Sequence, residues 1–152
     1  MEDETKSLQC LETLVWDFLD LHGFMNGRKA EVTLPAALTI FLVKHNRKVQ
    51  MKDIANTFNV SNSTVTDYVD YLESRGFVAR VRSEEDRREV YIQLTEKGWD
   101  WVRRSRKLTQ EYFNQRLSNL TPEERGQFIA LMHKFLDVDK PSVGLRAEKP
   151  TE

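Results

Sequence analysis

Two short apolar runs flank a strongly charged loop near the middle of the chain. Residues 77–81 are mostly apolar, residues 83–89 carry six charges, and residues 90–94 alternate between apolar and polar side chains. Runs of this kind on either side of a short polar loop predict a β-hairpin. Its tip would hold Arg87 and Arg88 away from the body of the protein. A guanidinium group presented in this way suits a phosphate backbone or a narrow minor groove.

Apolar residues at helical spacing precede and follow this hairpin. Thr121, Pro122 and Glu124 have the cap, first-turn and capping-box positions that begin a helix. The order predicts a mainly α protein with a small β-hairpin wing, in which a winged helix-turn-helix carries additional terminal helices. The predicted helices cover residues 6–22, 33–45, 51–58, 61–75, 95–118 and 122–138.

The segment from Met51 to Tyr71 has the pattern of a helix-turn-helix. Ala55 is small where the two helices would cross, and Asn59 tolerates the left-handed backbone of a tight turn. An amphipathic helical pair without any role in DNA binding fits the same pattern, but the adjacent hairpin favours DNA. Short polar side chains at the start of the second helix can reach base edges and phosphates in a major groove. These predicted contacts are Ser61, Asn62, Ser63, Thr64, Thr66 and Tyr68.

The formal net charge is only −1, yet the charges are unevenly distributed. Residues 44–107 contain 14 Lys and Arg against 10 Asp and Glu, whereas the rest of the chain contains 9 against 14. Positive charge therefore collects where DNA binding is predicted. Since residues 61–73 include no Lys or Arg, the phosphate contacts are expected from the cations around that helix. These are Lys52, Arg75, Arg80, Arg82, Arg87 and Arg88.

Five spaced positions in and after the hairpin resemble a known signature. Asp86 and Arg88, followed by Leu94, Thr95 and Gly98, are similar to the wing signature of the MarR family of bacterial and archaeal regulators. The order of the predicted helices also matches that family. The resemblance therefore implies a transcription regulator.

This resemblance covers roughly residues 6–138. It implies a triangular homodimer in which the helix at residues 61–75 enters the major groove. It also implies that Arg88 enters the minor groove, held in position by Asp86. Members of this family usually repress nearby genes, and many release DNA when a small phenolic or lipophilic ligand binds.

The terminal helices have apolar faces that one small domain would not cover, so we expect them to be buried against a second copy. Accordingly, residues 33–98 are predicted to form the DNA-binding domain, and residues 1–32 and 99–140 the dimerisation region. Residues 141–152 are polar and are expected to form a flexible tail. A symmetric dimer would require a pseudo-palindromic operator in double-stranded DNA.

Other classes of site receive little support from the sequence. A ligand pocket lined by Trp16, Phe41 and Trp101 is one hypothesis, although aromatic residues at helical spacing are more often core. The single cysteine, Cys10, allows no intrachain disulfide, and a structural role is favoured over a redox role because no nearby residue would activate its thiol. No catalytic pair, metal cluster or cofactor motif is present in the sequence, which predicts neither an enzyme nor a cofactor.

The sequence contains no apolar run of membrane-spanning length and no signal-peptide pattern, which predicts a cytoplasmic protein without a membrane partner. The principal alternative is a winged helix that docks another protein and binds DNA weakly or not at all. The absence of Lys and Arg from residues 61–73 motivates that alternative.

Overall fold

Six helices and one β-hairpin make up the computed structural model, which describes residues 2–23, 30–46 and 48–136, with side chains from residue 12 onward. The predicted order is confirmed, and the element boundaries agree within a few residues. The elements are α1 (Glu2–Leu21), α2 (Leu34–His45), α3 (Met51–Phe58), α4 (Asn62–Ser74), β1 (Val78–Arg82), β2 (Val90–Leu94), α5 (Glu96–Leu117) and α6 (Pro122–Leu136).

The main core lies where α2, α3 and α4 meet the hairpin and the start of α5. Helix α2 is apolar around most of its circumference, so it occupies the centre of this unit. Burial of these apolar side chains is the main source of stability for the fold. The largest fully buried side chains include Ile40, Ile54, Leu72, Phe77 and Ile92.

The ends of the helices confirm the signals in the sequence. Asn59 has φ 52° and ψ 48°, the left-handed conformation expected in the turn between α3 and α4. Ser61 caps α4 by accepting the Thr64 amide proton over 3.2 Å. At α6, the Thr121 amide donates to Glu124 over 2.9 Å and the Glu124 amide donates to Thr121 over 3.3 Å, which forms the predicted capping box.

The hairpin is antiparallel, with Val78 opposite Leu94 and Arg82 opposite Val90. A further bridge joins it to the segment before α3, because the Ile92 amide donates to the Val49 carbonyl over 2.7 Å. The second strand of the wing is therefore hydrogen-bonded to the helical unit, in addition to the covalent connections at the two ends of the hairpin.

Polar contacts join α1 to the long helix α5. The Tyr112 hydroxyl donates to Asp17 over 3.1 Å, and Thr109 lies 3.2 Å from Nε2 of His22. Burial is the principal cause that raises the pKa of Tyr112 above its ordinary value. Helix α1 is thus held against α5 by polar contacts.

Helix α6 buries none of its residues 122–136 against the rest of the described chain. None of the helices described has both the length and the apolar content needed to cross a bilayer. The predicted tail at 141–152 lies outside the described residues. The Cys10 side chain also lies outside them, so its predicted structural role stays a prediction.

Candidate nucleic-acid interface

Helix α4 separates a buried apolar side from an exposed polar side. Val65, Val69 and Leu72 are fully buried, which fixes the rotation of the helix against the core. Of the predicted base contacts, Thr64 and Tyr68 are half-buried, and Ser61, Asn62, Ser63 and Thr66 are exposed. Helical periodicity accounts for this division, because residues three or four apart share one side.

The hydroxyl groups at the start of α4 already have partners. Ser61 Oγ lies 2.8 Å from Ser63 Oγ and 2.8 Å from Thr64 Oγ1, and Thr66 Oγ1 donates to the Asn62 carbonyl over 2.9 Å. Ser61 is therefore chiefly a cap. The exposed side chain of Asn62 is the more available group for an approaching base or phosphate.

Side-chain and backbone hydrogen bonds brace the wing loop from inside. Ser83 Oγ accepts from the amides of Glu85 and Asp86 over 3.2 and 3.3 Å, and the Ser83 amide donates to the Glu89 carbonyl over 2.9 Å. Asp86 Oδ1 accepts the amide proton of Arg88 over 2.9 Å. The implied support of Arg88 by Asp86 is thus present in the structure, and it acts through the backbone.

The side chains of Arg87 and Arg88 are exposed at the tip of this braced loop. Neither guanidinium group makes a hydrogen bond or an ion pair with another of the described residues. An exposed arginine on a fixed backbone can bind an anion without first breaking an intramolecular ion pair. Among the cations of this surface, those at the wing tip are accordingly the best placed to bind an anion.

Lys48 contacts both the wing loop and β2, and no signal in the sequence indicates this pairing. Its ammonium group lies 3.3 Å from Glu85 and 5.6 Å from the centre of the Tyr91 ring. The hydrogen bond to Glu85 raises the pKa of Lys48, and a hydrogen bond to Glu89 raises the pKa of Tyr91. Only the folded hairpin brings these groups together, because Lys48 and Glu85 are 37 positions apart.

The other predicted cations differ in availability. The side chains of Lys52 and Arg82 are exposed and make no hydrogen bond or ion pair with any other described residue. Arg75 donates to the Glu31 carbonyl over 3.2 Å and lies 4.8 Å from the centre of the Tyr71 ring. Arg80 pairs with two carboxylates of α4, and the hydrogen bond to Asp70 is the largest cause that raises its pKa.

The Leu94-Thr95 and Gly98 part of the signature joins the wing to α5. Thr95 Oγ1 donates to the Gly76 carbonyl over 2.6 Å and accepts the Gly98 amide proton over 3.1 Å. A Cβ atom on Gly98 would lie 2.2 Å from the Phe77 carbonyl oxygen. Only glycine therefore allows the backbone of α5 to approach the start of β1 this closely.

Comparison with known proteins places the chain in a family. A model of the MarR family matches residues 32–90. The HTH-type regulator YfiV of Bacillus subtilis is 34% identical to this chain over 82% of the chain and 78% of YfiV. The chain belongs to the MarR family. This membership confirms the predicted winged-helix DNA-binding transcription regulator and the prediction that the chain is not an enzyme.

Two further relatives bear on function. The transcriptional repressor MprA of Escherichia coli is 31% identical over 68% of this chain and 59% of MprA. FabT of Streptococcus pneumoniae, solved in complex with DNA, is 26% identical, with a TM-score of 0.60 over 91% of this chain and 96% of FabT. The chain spans less than two thirds of the length of several curated relatives that it matches.

The aromatic residues predicted to line a ligand pocket are only partly brought together in this MarR protein. Phe41 and Trp101 pack with ring centres 5.6 Å apart, whereas Trp16 is 56% exposed on α1. A cavity of about 390 Å³ lies between the end of α1, Glu31 and α5, and Trp101 is the only one of the three predicted residues among its described lining. The lining also includes His22, Arg104 and Leu108.

The described residues of this MarR protein contain no group of three or more His, Cys, Asp or Glu side chains able to hold a metal ion. The side chains that the wing and α4 expose can form hydrogen bonds and charge pairs. Such groups recognise phosphates and base edges.

Proposed function

We propose that this MarR protein is a homodimeric, sequence-specific repressor that binds a pseudo-palindromic operator in the cytoplasm. The observation that carries the proposal is the wing tip, where the backbone of Arg88 is fixed by Asp86 and its guanidinium group is left exposed. Beside it, α4 exposes Asn62 and Ser63 on a helix whose rotation the core determines. One wing for the minor groove and one helix for the major groove suit duplex DNA.

The exposed apolar side chains of the terminal helices support a homodimer. On α6, Leu131 is 65% exposed and Phe135 is 69% exposed, although both are large and apolar. On α1, Val15 and Trp16 are also more than half exposed. Exposed apolar faces of this kind are typical of surfaces that another protein covers. A two-fold dimer would place two copies of α4 about one helical turn of DNA apart, roughly 34 Å.

Two further observations support repression and ligand release. MprA is a transcriptional repressor, and a repressor needs only to occupy an operator. The cavity beside Trp101 combines an indole ring and Leu108 with His22 and with an ion pair in which Arg104 Nη2 lies 2.8 Å from Glu31 Oε2. Such a lining suits a small lipophilic or phenolic ligand. A ligand held there would contact Glu31, whose carbonyl accepts from Arg75 at the end of α4.

The proposal is tested by fluorescence anisotropy on the DNA upstream of the protein's own gene. We expect the protein to bind this duplex tightly at physiological salt. A scrambled duplex of equal composition should bind much more weakly. A protein-interaction module would instead bind both duplexes weakly and lose them as salt is raised. Reporter expression in cells with and without the protein then distinguishes repression from activation.

A further inference from the structure

Arg80 on β1 lies between two carboxylates of the recognition helix α4. Its Nη2 donates to Asp70 Oδ1 over 2.6 Å, and its Nη1 donates to the Glu73 carboxylate. The Arg80 backbone amide also donates to Glu73 Oε1 over 3.2 Å. Three hydrogen bonds from one residue of the wing therefore end on α4.

The register of the hairpin explains why Arg80 points toward α4. Arg80 lies directly opposite Ile92, and directly opposed residues share one face of a hairpin. Since Ile92 is fully buried, this is the face that packs against the helices. The planar guanidinium fork can then bond two carboxylates at once, which a lysine ammonium at the same place would do less well.

The same contacts change the charge that α4 presents to DNA. The exposed half of this helix carries three carboxylates, on Asp67, Asp70 and Glu73, and no cation. Bare carboxylates near a phosphate backbone are repelled by it. Arg80 pairs with two of the three, and Asp67 is left without a partner among the described residues.

We propose that Arg80 is a positioning residue that fixes the wing against the recognition helix and screens Asp70 and Glu73 from the DNA phosphates. This inference rests on the proposed binding of DNA. It differs from the expectation that Arg80 contacts a phosphate. Arg82, two positions along the same strand and without a described partner, is the cation of β1 that remains available for such a contact.

A double-mutant cycle distinguishes the two roles of Arg80 by sign. Arg80→Gln leaves two bare carboxylates, and we expect it to weaken binding by roughly twofold to fivefold, the range for a half-exposed ion pair. The pair Asp70→Asn and Glu73→Gln should then strengthen binding more in the Arg80→Gln protein than in the wild type. If Arg80 instead contacted a phosphate, the two carboxylate substitutions should strengthen binding more in the wild type. Only the wild type has an Arg80 side chain that their removal would release for DNA.

The cycle is measured by anisotropy with the upstream duplex. Equal effects in both backgrounds, or a larger gain in the wild type, would overturn the inference. Arg82→Gln is the matched control, and it should show no coupling to the Asp70 and Glu73 substitutions beyond the experimental error.

Hydrogen exchange without DNA tests the positioning role independently. Arg80→Gln should speed exchange of the amides in β1 and β2 more than Arg82→Gln does, and circular dichroism should report an intact fold for both. If the wild type binds no duplex at any salt, the proposed function fails while this exchange result still stands. Unchanged exchange in Arg80→Gln would overturn the positioning role.

Discussion

Asp86 holds Arg88 through the backbone, since Oδ1 of Asp86 accepts the Arg88 amide proton over 2.9 Å. The backbone of Asp86 is itself held, because the Ser83 hydroxyl accepts the Asp86 amide proton. A carboxylate near DNA is repelled by phosphates, so its presence at the wing tip requires a compensating role. Fixing the backbone from which the Arg88 side chain extends is such a role, because less conformational freedom is then lost on binding.

Replacing Asp86 therefore separates charge from position. Asp86→Ala removes a negative charge, which by itself would strengthen DNA binding, but it also removes the hydrogen bond. We expect weaker binding, by about 0.5–1.5 kcal/mol, because the loss of the bond frees the wing tip. Asp86→Asn keeps an oxygen acceptor and should bind at least as tightly as the wild type. Anisotropy titrations check this, and tighter binding by Asp86→Ala would contradict the positioning role.

Arg88→Ala should remove one ion contact per subunit. We expect affinity to fall for every duplex tested, and the slope of log K against log salt to flatten by about 0.9 per lost contact. The control is Arg106→Ala, which removes an exposed arginine of α5 outside the wing. An unchanged slope in Arg88→Ala would show that this side chain does not reach the DNA.

Gly98 and Gly126 form a matched pair for stability, since both lie within helices but in different surroundings. A Cβ on Gly98 would lie 2.2 Å from the Phe77 carbonyl oxygen, whereas nothing lies within 4 Å of a Cβ on Gly126. Gly98→Ala should lower the free energy of unfolding by about 1–3 kcal/mol, as overpacking does. Gly126→Ala should raise it by roughly 0.4–1 kcal/mol. Urea denaturation measures both, and a neutral Gly98→Ala would contradict the close approach.

The sequence predicts the turns and helix ends well because each of them depends on residues only a few positions apart. Asn59 in its turn, Ser61 as a cap and the Thr121–Glu124 capping box all depend on residues within a few positions. The hairpin follows from two apolar runs around a polar loop.

Contacts between distant segments could not be predicted in the same way. Lys48 pairs with Glu85 across 37 positions, and the choice of Asp70 and Glu73 as partners of Arg80 depends on how the hairpin packs on α4. Several of the predicted cations have carboxylates nearby in the sequence, so the sequence does not determine which cation pairs with which carboxylate. The fold determines it. The pocket residues illustrate the same limit, because Phe41 and Trp101 pack together while Trp16 remains exposed.

The apolar surface of α6 provides a test of dimerisation. Leu131→Glu should convert the dimer to a monomer, because a buried unpaired charge at an interface is strongly unfavourable. Ala130→Glu places the same charge on the polar side of the helix, among Gln127, His133 and Lys134, and should leave the dimer intact. Sedimentation equilibrium gives the masses. If Leu131→Glu has the same mass as the wild type, this part of α6 is not the dimer interface.

Occupation of the cavity by a ligand can be followed through Trp101, which lies in its lining. A variant with Trp16→Phe and Trp99→Phe keeps Trp101 as the only tryptophan, since the chain has three. Phenolic acids titrated into this variant should change its fluorescence at the same concentrations that release the upstream duplex. The control variant, with Trp99→Phe and Trp101→Phe, keeps only Trp16, which is exposed and absent from the described lining, and its fluorescence should not respond. Release of DNA without any change at Trp101 would place the responsive site elsewhere on the molecule.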